Sequence, residues 1–469
     1  MRPLPVRDVR NVKPPDLNFP HMREVRDELR TTFFMCCHLN PSLAERYLEG
    51  LDPDWLRRRE LTDILRAPGS LTKAAPAALA DLALAGLIEK DDPDDYHGGR
   101  RDRHNPFGMD DNAFFPPSPG QGPFLEILEN APADGLRLVR GLVEYATHWW
   151  RAQYIEQRRP FPTMSIAFPD DAKSFEGDFS VYLWARGNSL PAIAGSALMA
   201  LEAWGHAQIE AGRPFHDVMH DVLGPSGSSV AFVCVAVDLA LSHWPEAQES
   251  AWPLVATPEL LRWDDGRQNR DAAGAFWRFA SEREPSHGRV KRAWLDGRAS
   301  RRRRLSDRIG DYVFGGPPAR LAEIRAGLEA ARNRICQGPN QGEDPINGLR
   351  ATAERALRMT EPAHWYLTKV RLSDGSETEG YQYQPDPDEE VRLNAARTSA
   401  EADVKHFNIR IAVRNALFEQ GKSTPDIVAQ SILWAKSQPR HEGPDATDVE
   451  RDADFEGNGT GERWSWRPL

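Results

Sequence analysis

Two histidines one helical turn apart have the spacing in this chain that best suits metal chemistry. His216 and His220 are four positions apart, and each is followed by an aspartate, Asp217 or Asp221. On a helix this spacing places both imidazoles on one face, where they can ligate zinc. A zinc site needs a third and usually a fourth ligand, and the sequence fixes no other histidine beside this pair. We assign no metal and no catalytic residue, and keep His216 and His220 as candidates for an alternative, a metal-dependent hydrolase.

The strongest charge feature is an arginine-rich run from His287 to Arg304. Lysine and arginine side chains neutralise phosphates, so this run could bind a nucleic acid or a nucleotide. Trp294 is the only aromatic residue among these basic side chains, so we do not expect a platform on which the bases of single-stranded nucleic acid stack. The candidate phosphate contacts are Arg289, Lys291, Arg292, Arg301, Arg302, Arg303 and Arg304. The interpretation we favour is a solvated linker, because the whole chain is acidic; pairing with the acidic tail is a further alternative.

A glycine- and serine-rich loop precedes one of the apolar helices. Gly224-Pro-Ser-Gly-Ser-Ser229 lacks the Gly-Lys-Ser/Thr ending of a P-loop, and its proline removes one amide from a phosphate cradle. A loop with a serine cap explains it better. Since no lysine-bearing phosphate loop is found, we predict no cofactor and no ATP hydrolysis by the chain alone.

Two long apolar runs are the elements around which these residues must be arranged. Leu190 to Trp204 and Ser228 to Leu241 both read as buried helices, with Ser189 and either Ser228 or Ser229 as capping residues. The uninterrupted apolar core of the second run is too short to cross a bilayer. We predict one buried layer that contains Leu198, Leu201, Trp204, Phe232, Val233 and Val237.

The spacing of the elements predicts a mainly α protein. The two buried helices start 38 residues apart, which is close to the repeat of helical solenoids. We therefore expect a stacked helical-hairpin array of the HEAT or armadillo kind. Near residues 364–384, Asp374-Gly375 lies between aromatic and β-branched segments, and this pattern predicts a small β-hairpin.

Composition limits the class of protein and suggests how the chain is divided. It has 469 residues, a net charge of −11, and four cysteines without an apolar leader. An acidic chain is not built as a whole to bind nucleic acid or anionic membranes, and the cysteines suit a reducing cytoplasm. We expect an N-terminal helical unit (1–92), a loop (93–122), a central helical core (123–275), a basic linker (276–316), a C-terminal helical unit with the hairpin (317–437) and a disordered acidic tail (438–469).

Several strings taken together resemble a known family. They are Phe115–Leu125, Leu136–Trp149, Tyr182–Ser189, Ser196–Trp204 and Pro253–Leu261. The combination is similar to the helical C-terminal region of large bacterial STAND-type NTPases linked to phage defence. In that family an upstream P-loop module hydrolyses ATP, and the helical region is thought to sense a ligand or bind a partner. This chain lacks the P-loop module, so the resemblance transfers no ATP-binding residue.

These observations favour a non-enzymatic, cytoplasmic scaffold or sensor. The resemblance implies a role in a bacterial defence NTPase system. We expect a protein partner or self-association and no membrane. Nucleic-acid binding through residues 289–304 remains an alternative, as does the hydrolase at His216 and His220.

Overall fold

The structure, a computed structural model, describes residues 20–52, 60–88, 105–187, 191–272, 290–337, 348–371 and 377–395, with single residues at 398, 429, 432 and 433. The described chain is mainly α-helical with two small sheets, which confirms the predicted fold class. It divides into two compact units, residues 1–328 and 329–469. The predicted division into six segments stays a prediction, and the acidic tail at 438–469 lies outside the described residues.

The helices up to the central core are α1 (Pro20–Cys36), α2 (Pro41–Glu49), α3 (Glu60–Arg66), α4 (Leu71–Ala74), α5 (Pro76–Leu87), α6 (Phe124–Asn130), α7 (Pro132–Glu156) and α8 (Phe179–Tyr182). They are followed by α9 (Ala192–Glu210), α10 (Phe215–Leu223), α11 (Val230–Ser242), α12 (Gln248–Val255), α13 (Pro258–Ala272), α14 (Arg292–Asp296), α15 (Ile309–Phe314) and α16 (Pro318–Gln337). Short 3₁₀ helices cover Cys37–Leu39, Gly108–Phe114, Leu183–Arg186, Ala299–Arg302 and Ser306–Arg308. Consecutive helices α6 and α7, and α10 and α11, are in contact, as helical hairpins are.

Helix α9 is the centre of the first unit. Every residue from Ala192 to His206 is buried, and the helix contacts α6, α7, α10 and α11. Its small residues permit this crowding: a Cβ on Gly205 would lie 2.7 Å from Cδ1 of Leu239 in α11. The predicted layer is confirmed, since Leu198, Leu201, Trp204, Phe232, Val233 and Val237 are each at most 1% exposed.

The two buried helices begin in different ways. Ser229 caps α11 through a hydrogen bond from the Ala231 N–H at 3.3 Å, as predicted. Ser189 lies outside the described residues. The first N–H groups of α9, at Ala192 and Ile193, each donate to the buried carboxylate of Asp111 at 2.8 Å. A residue some eighty positions upstream therefore caps the central helix, which local sequence does not reveal.

A three-stranded sheet packs against helices α7, α11 and α12. Strands β1 (Thr163–Ala167) and β2 (Ala172–Glu176) are antiparallel, and β3 (Ser228–Ser229) pairs with β2 in parallel. Residues of β1 alternate between exposed and buried, and Met164 and Ile166 face the core. The sheet holds the loop at Gly224–Ser229 against β2, since the Gly227 N–H donates to Ser174 O at 2.7 Å.

The second unit contains the predicted hairpin. Helix α17 (Leu349–Met359) and a 3₁₀ turn (Pro362–His364) lead into antiparallel strands β4 (Trp365–Arg371) and β5 (Glu377–Tyr383), which confirms the hairpin near 364–384. Its turn at Asp374-Gly375 lies outside the described residues. Residues 387–395 are helical, and Glu389 accepts hydrogen bonds from Arg358 and Tyr383 at 3.0 and 2.7 Å.

No helix within the described ranges combines the length and the apolar character that a membrane span requires.

Candidate functional site: a buried arginine and carboxylate cluster

The histidine pair lies on the surface of helix α10. His216, Asp217 and His220 are exposed, and Asp221 forms an ion pair with Arg213 at 2.6 Å. Across the described ranges, no group of three His, Cys, Asp or Glu side chains could hold a metal ion. Since zinc needs at least a third protein ligand, the hydrolase alternative finds no support at this pair.

The basic run is packed into the first unit, and the interpretation of a solvated linker was wrong for its described part. Residues 290–308, which we name the strap, contain α14 and two 3₁₀ helices. Arg292 and Arg301 are only 4% and 9% exposed, whereas Arg302 is exposed. Arg289 lies outside the described residues. Burial of a guanidinium group requires polar partners. Arg292 lies 3.6 Å from Asp296 of its own helix and donates to the main-chain oxygen of Arg186 at 2.7 Å, whereas the surrounding helices supply carboxylates for Arg301.

Arg301 bridges two carboxylates that are fully buried. Its Nη2 donates to Glu202 of α9 at 3.0 Å, and its Nη1 lies 3.1 Å from Oδ1 of Asp238 in α11. Asp238 also accepts hydrogen bonds from both Nη groups of Arg186, one of them at 2.5 Å. This arrangement ties the strap to the two central helices through charge-assisted hydrogen bonds.

Arg267 of α13 makes the second set of contacts with the strap. Its side chain pairs with Asp264 and Asp271 at 2.6 and 2.7 Å. The same guanidinium donates to the main-chain oxygens of Ser300 and Arg303 at 3.0 and 2.8 Å. A buried cation thus satisfies strap carbonyl groups, so the strap backbone is part of the cluster.

The cluster holds its acidic groups ionised. Burial alone would raise the pKa of Asp238, but Arg186 and Arg301 outweigh it and lower that pKa. Burial likewise opposes ionisation of Glu202, and Arg301 again lowers the pKa of the carboxyl. Burial raises the pKa of the Cys234 thiol far above its ordinary value. A carboxylate that is paired with arginines is a poor general base. A buried thiol that stays protonated is a poor nucleophile.

A pair of histidines lies at the edge of this cluster. His206 Nδ1 and His243 Nε2 are 2.8 Å apart, and His206 Nε2 lies 3.7 Å from Oε1 of Glu202. Trp294 of the strap packs edge-on against the His206 ring, with ring centroids 5.7 Å apart. Arg298 stacks over Trp294 at 3.7 Å. The pair therefore connects the buried carboxylates of the cluster to the outer side of the strap.

Sequence reasoning found two members of the cluster and missed the others. Arg292 and Arg301 stand among the predicted candidates, but as solvated residues. The partners Glu202 and Asp238 are single acidic residues inside otherwise apolar helical runs. A charged residue in such a position needs a buried counter-ion. The two acidic residues were therefore the sequence signal from which buried arginines could have been predicted.

The burial of two arginines changes the expected binding of duplex DNA. Of the seven basic candidates, Arg292 and Arg301 are buried, which leaves at most five for phosphate contacts. We expect the log–log salt dependence of DNA affinity to be no steeper than about −4.5, against about −6 for all seven. Fluorescence anisotropy with a labelled duplex over a salt series measures this slope. A slope near −6 would mean that the strap leaves the core when DNA binds.

No protein-family model matches this chain, and no curated protein matches it.

Proposed function

We propose that this chain is a non-enzymatic helical scaffold or sensor, and that it associates through an exposed apolar row at its N-terminal helices. The row, which we name for its order along the chain, comprises five side chains that are 43–78% exposed in α1, the following 3₁₀ helix and α2: Val25, Leu29, Met35, Leu39 and Leu43. Exposed apolar side chains in one segment of a chain can support a protein–protein contact, because their burial on association releases water. This row is the observation that carries the proposal.

The chemistry of the core supports a binding role over a catalytic one. The buried charged residues of the cluster pair with one another, and their contacts hold the strap on the helices. Cys36, Cys37 and Cys234 are free thiols, which is compatible with the reducing cytoplasm where we place the protein. In the form implied by the resemblance to the helical region of STAND-type NTPases, the chain would sense a ligand or bind a partner in a bacterial defence system.

The test starts with a second copy of the chain as the partner. We expect the full chain to show a mass that rises with concentration in sedimentation velocity. Leu29→Asp should weaken this association at least tenfold, because it places a charge in the buried contact. Ile155→Asp is the matched control, since Ile155 is 64% exposed on α7 but does not belong to the row.

Two outcomes would contradict the proposal. A monomer at every concentration would exclude self-association through the row. ATP turnover that survives stringent purification and is abolished by a substitution in this chain would exclude a non-enzymatic role.

A further inference from the structure

Trp294 of the strap packs against His206, which shares a hydrogen bond with His243 at the end of α11. We propose that His206 and His243 form an acid-sensitive clasp: when both imidazoles are protonated, their hydrogen bond is lost and the strap, residues 290–308, leaves helices α9 and α11. This inference does not depend on whether the chain self-associates.

The hydrogen bond between the rings fixes the number of protons that the clasp tolerates. At 2.8 Å, one of the facing nitrogens donates and the other must accept with its lone pair. One extra proton on the pair leaves this bond possible. A second extra proton puts N–H groups on both facing nitrogens and two positive charges at contact distance. The docked arrangement cannot accommodate that state, so the rings must separate.

The charged groups around the clasp come from each element packed against it. Helix α9 contributes Glu202, 3.7 Å from His206 Nε2, and Glu210, which pairs with Arg298 of the strap at 2.6 Å. Glu246, shortly after α11, and Glu210 favour a charged His243, and Arg298 opposes it. Farther inside, Arg301 neutralises Glu202.

The balance of these groups keeps His243 neutral in the docked state. Burial and then the neighbouring His206 lower the pKa of His243 to about 4. The carboxylates of Glu210 and Glu246 offset only part of this effect. Arg298 adds to it, because its guanidinium is held close by stacking on Trp294.

The clasp is linked to strap docking by contacts at the same end of α11. Ser242 accepts the Ser300 N–H at 3.3 Å, and Arg303 donates to Leu241 O at 3.1 Å. On the other side of the rings, Trp294 covers His206. Separation of the two imidazoles therefore disturbs the His206 ring that Trp294 contacts and the end of α11 that Ser300 and Arg303 contact.

The sign of the pH effect follows from the lowered pKa. A released His243 regains a pKa near 6.5, so the released state binds more protons between pH 6.5 and pH 4. Docking is therefore at full strength above pH 6.5 and weakens as the pH falls through this window. From His243 alone, the released fraction should rise about tenfold at pH 5.5 relative to neutral pH.

Hydrogen exchange of the full chain, followed by mass spectrometry and corrected for intrinsic rates, tests the clasp. We expect peptides from the strap to lose about tenfold in protection between pH 7.5 and pH 5.5, while peptides from α6 and α7 keep theirs. His243→Gln retains a side-chain N–H donor that does not titrate, so it should abolish the pH dependence. His216→Gln, an exposed histidine on α10, should leave it unchanged.

Each other outcome overturns the inference. Strap protection that is constant over this pH range would do so, and so would an equal pH dependence in H243Q. If H243Q fails to fold, the wild-type chain still decides. Loss of protection must be confined to the strap and reversible on return to pH 7.5, and simultaneous loss in all helices would show global unfolding instead.

Discussion

Replacing Arg301 by alanine should lower the free energy of unfolding by about 3–5 kcal/mol, because a buried ion pair is broken from one side. The guanidinium lies between Glu202 and Asp238, and both carboxylates are fully buried. In the variant Glu202 has no other arginine in direct contact among the described residues, so its charge remains in the core largely uncompensated. Urea denaturation followed by circular dichroism measures the loss.

The neighbouring residue provides the matched control for this substitution. Arg302 lies in the same 3₁₀ helix but is exposed, so Arg302→Ala should change stability by no more than about 0.5 kcal/mol. If the two variants unfolded at the same urea concentration, Arg301 would not be buried in the protein in solution, and the strap would be a solvated linker after all.

The contrast between these two arginines shows why the strap could not be predicted. Within the sequence they are adjacent members of one basic run, with the same side chain and the same local charge. Arg301 is buried because it pairs with the carboxylate of Glu202, a residue 99 positions away in the chain. Sequence periodicity describes the local environment of a residue, whereas the burial of a charge depends on such distant partners.

The central helices were predictable because their signal is local. An apolar run with small residues interspersed implies burial on all sides, whatever surrounds it. Next to these helices, the residues from Asp178 to Trp184 alternate between polar and apolar as those of a short strand do, yet they form helical turns. Helix α8 forms there because the Asp178 side chain accepts the Val181 N–H at 2.9 Å. A capping aspartate outweighed a weak alternating pattern.

Similar limits apply to the loop before α6. The sequence suggests that Phe114 and Phe115 both fold back onto the helices. Phe114 is fully buried and its ring lies 6.1 Å from that of Phe124, whereas Phe115 is 58% exposed. Two adjacent aromatic residues cannot be told apart by composition, since the direction of the backbone decides which one reaches the core.

The packing around α9 determines the second large effect. Leu201 is 1% exposed in a helix whose first fifteen residues are all buried and which has helices on several sides. The cost of removing a core side chain grows with the cavity that remains. Close approaches such as that of Gly205 to Leu239 leave these helices little freedom to move into a cavity.

Leu201→Ala should therefore lower the free energy of unfolding by about 2–5 kcal/mol, through lost burial and a cavity that does not collapse. Chemical denaturation of the full chain measures it. Ile155→Ala is the control, since that side chain is 64% exposed on α7 and its truncation should cost about 0.5 kcal/mol or less. A Leu201→Ala effect as small as the control would place the residue outside a packed layer and contradict the central position of α9.

Leu201 lies next to Glu202, so a double variant with Arg301→Ala should also depart from additivity, because both substitutions loosen the same turn of the helix.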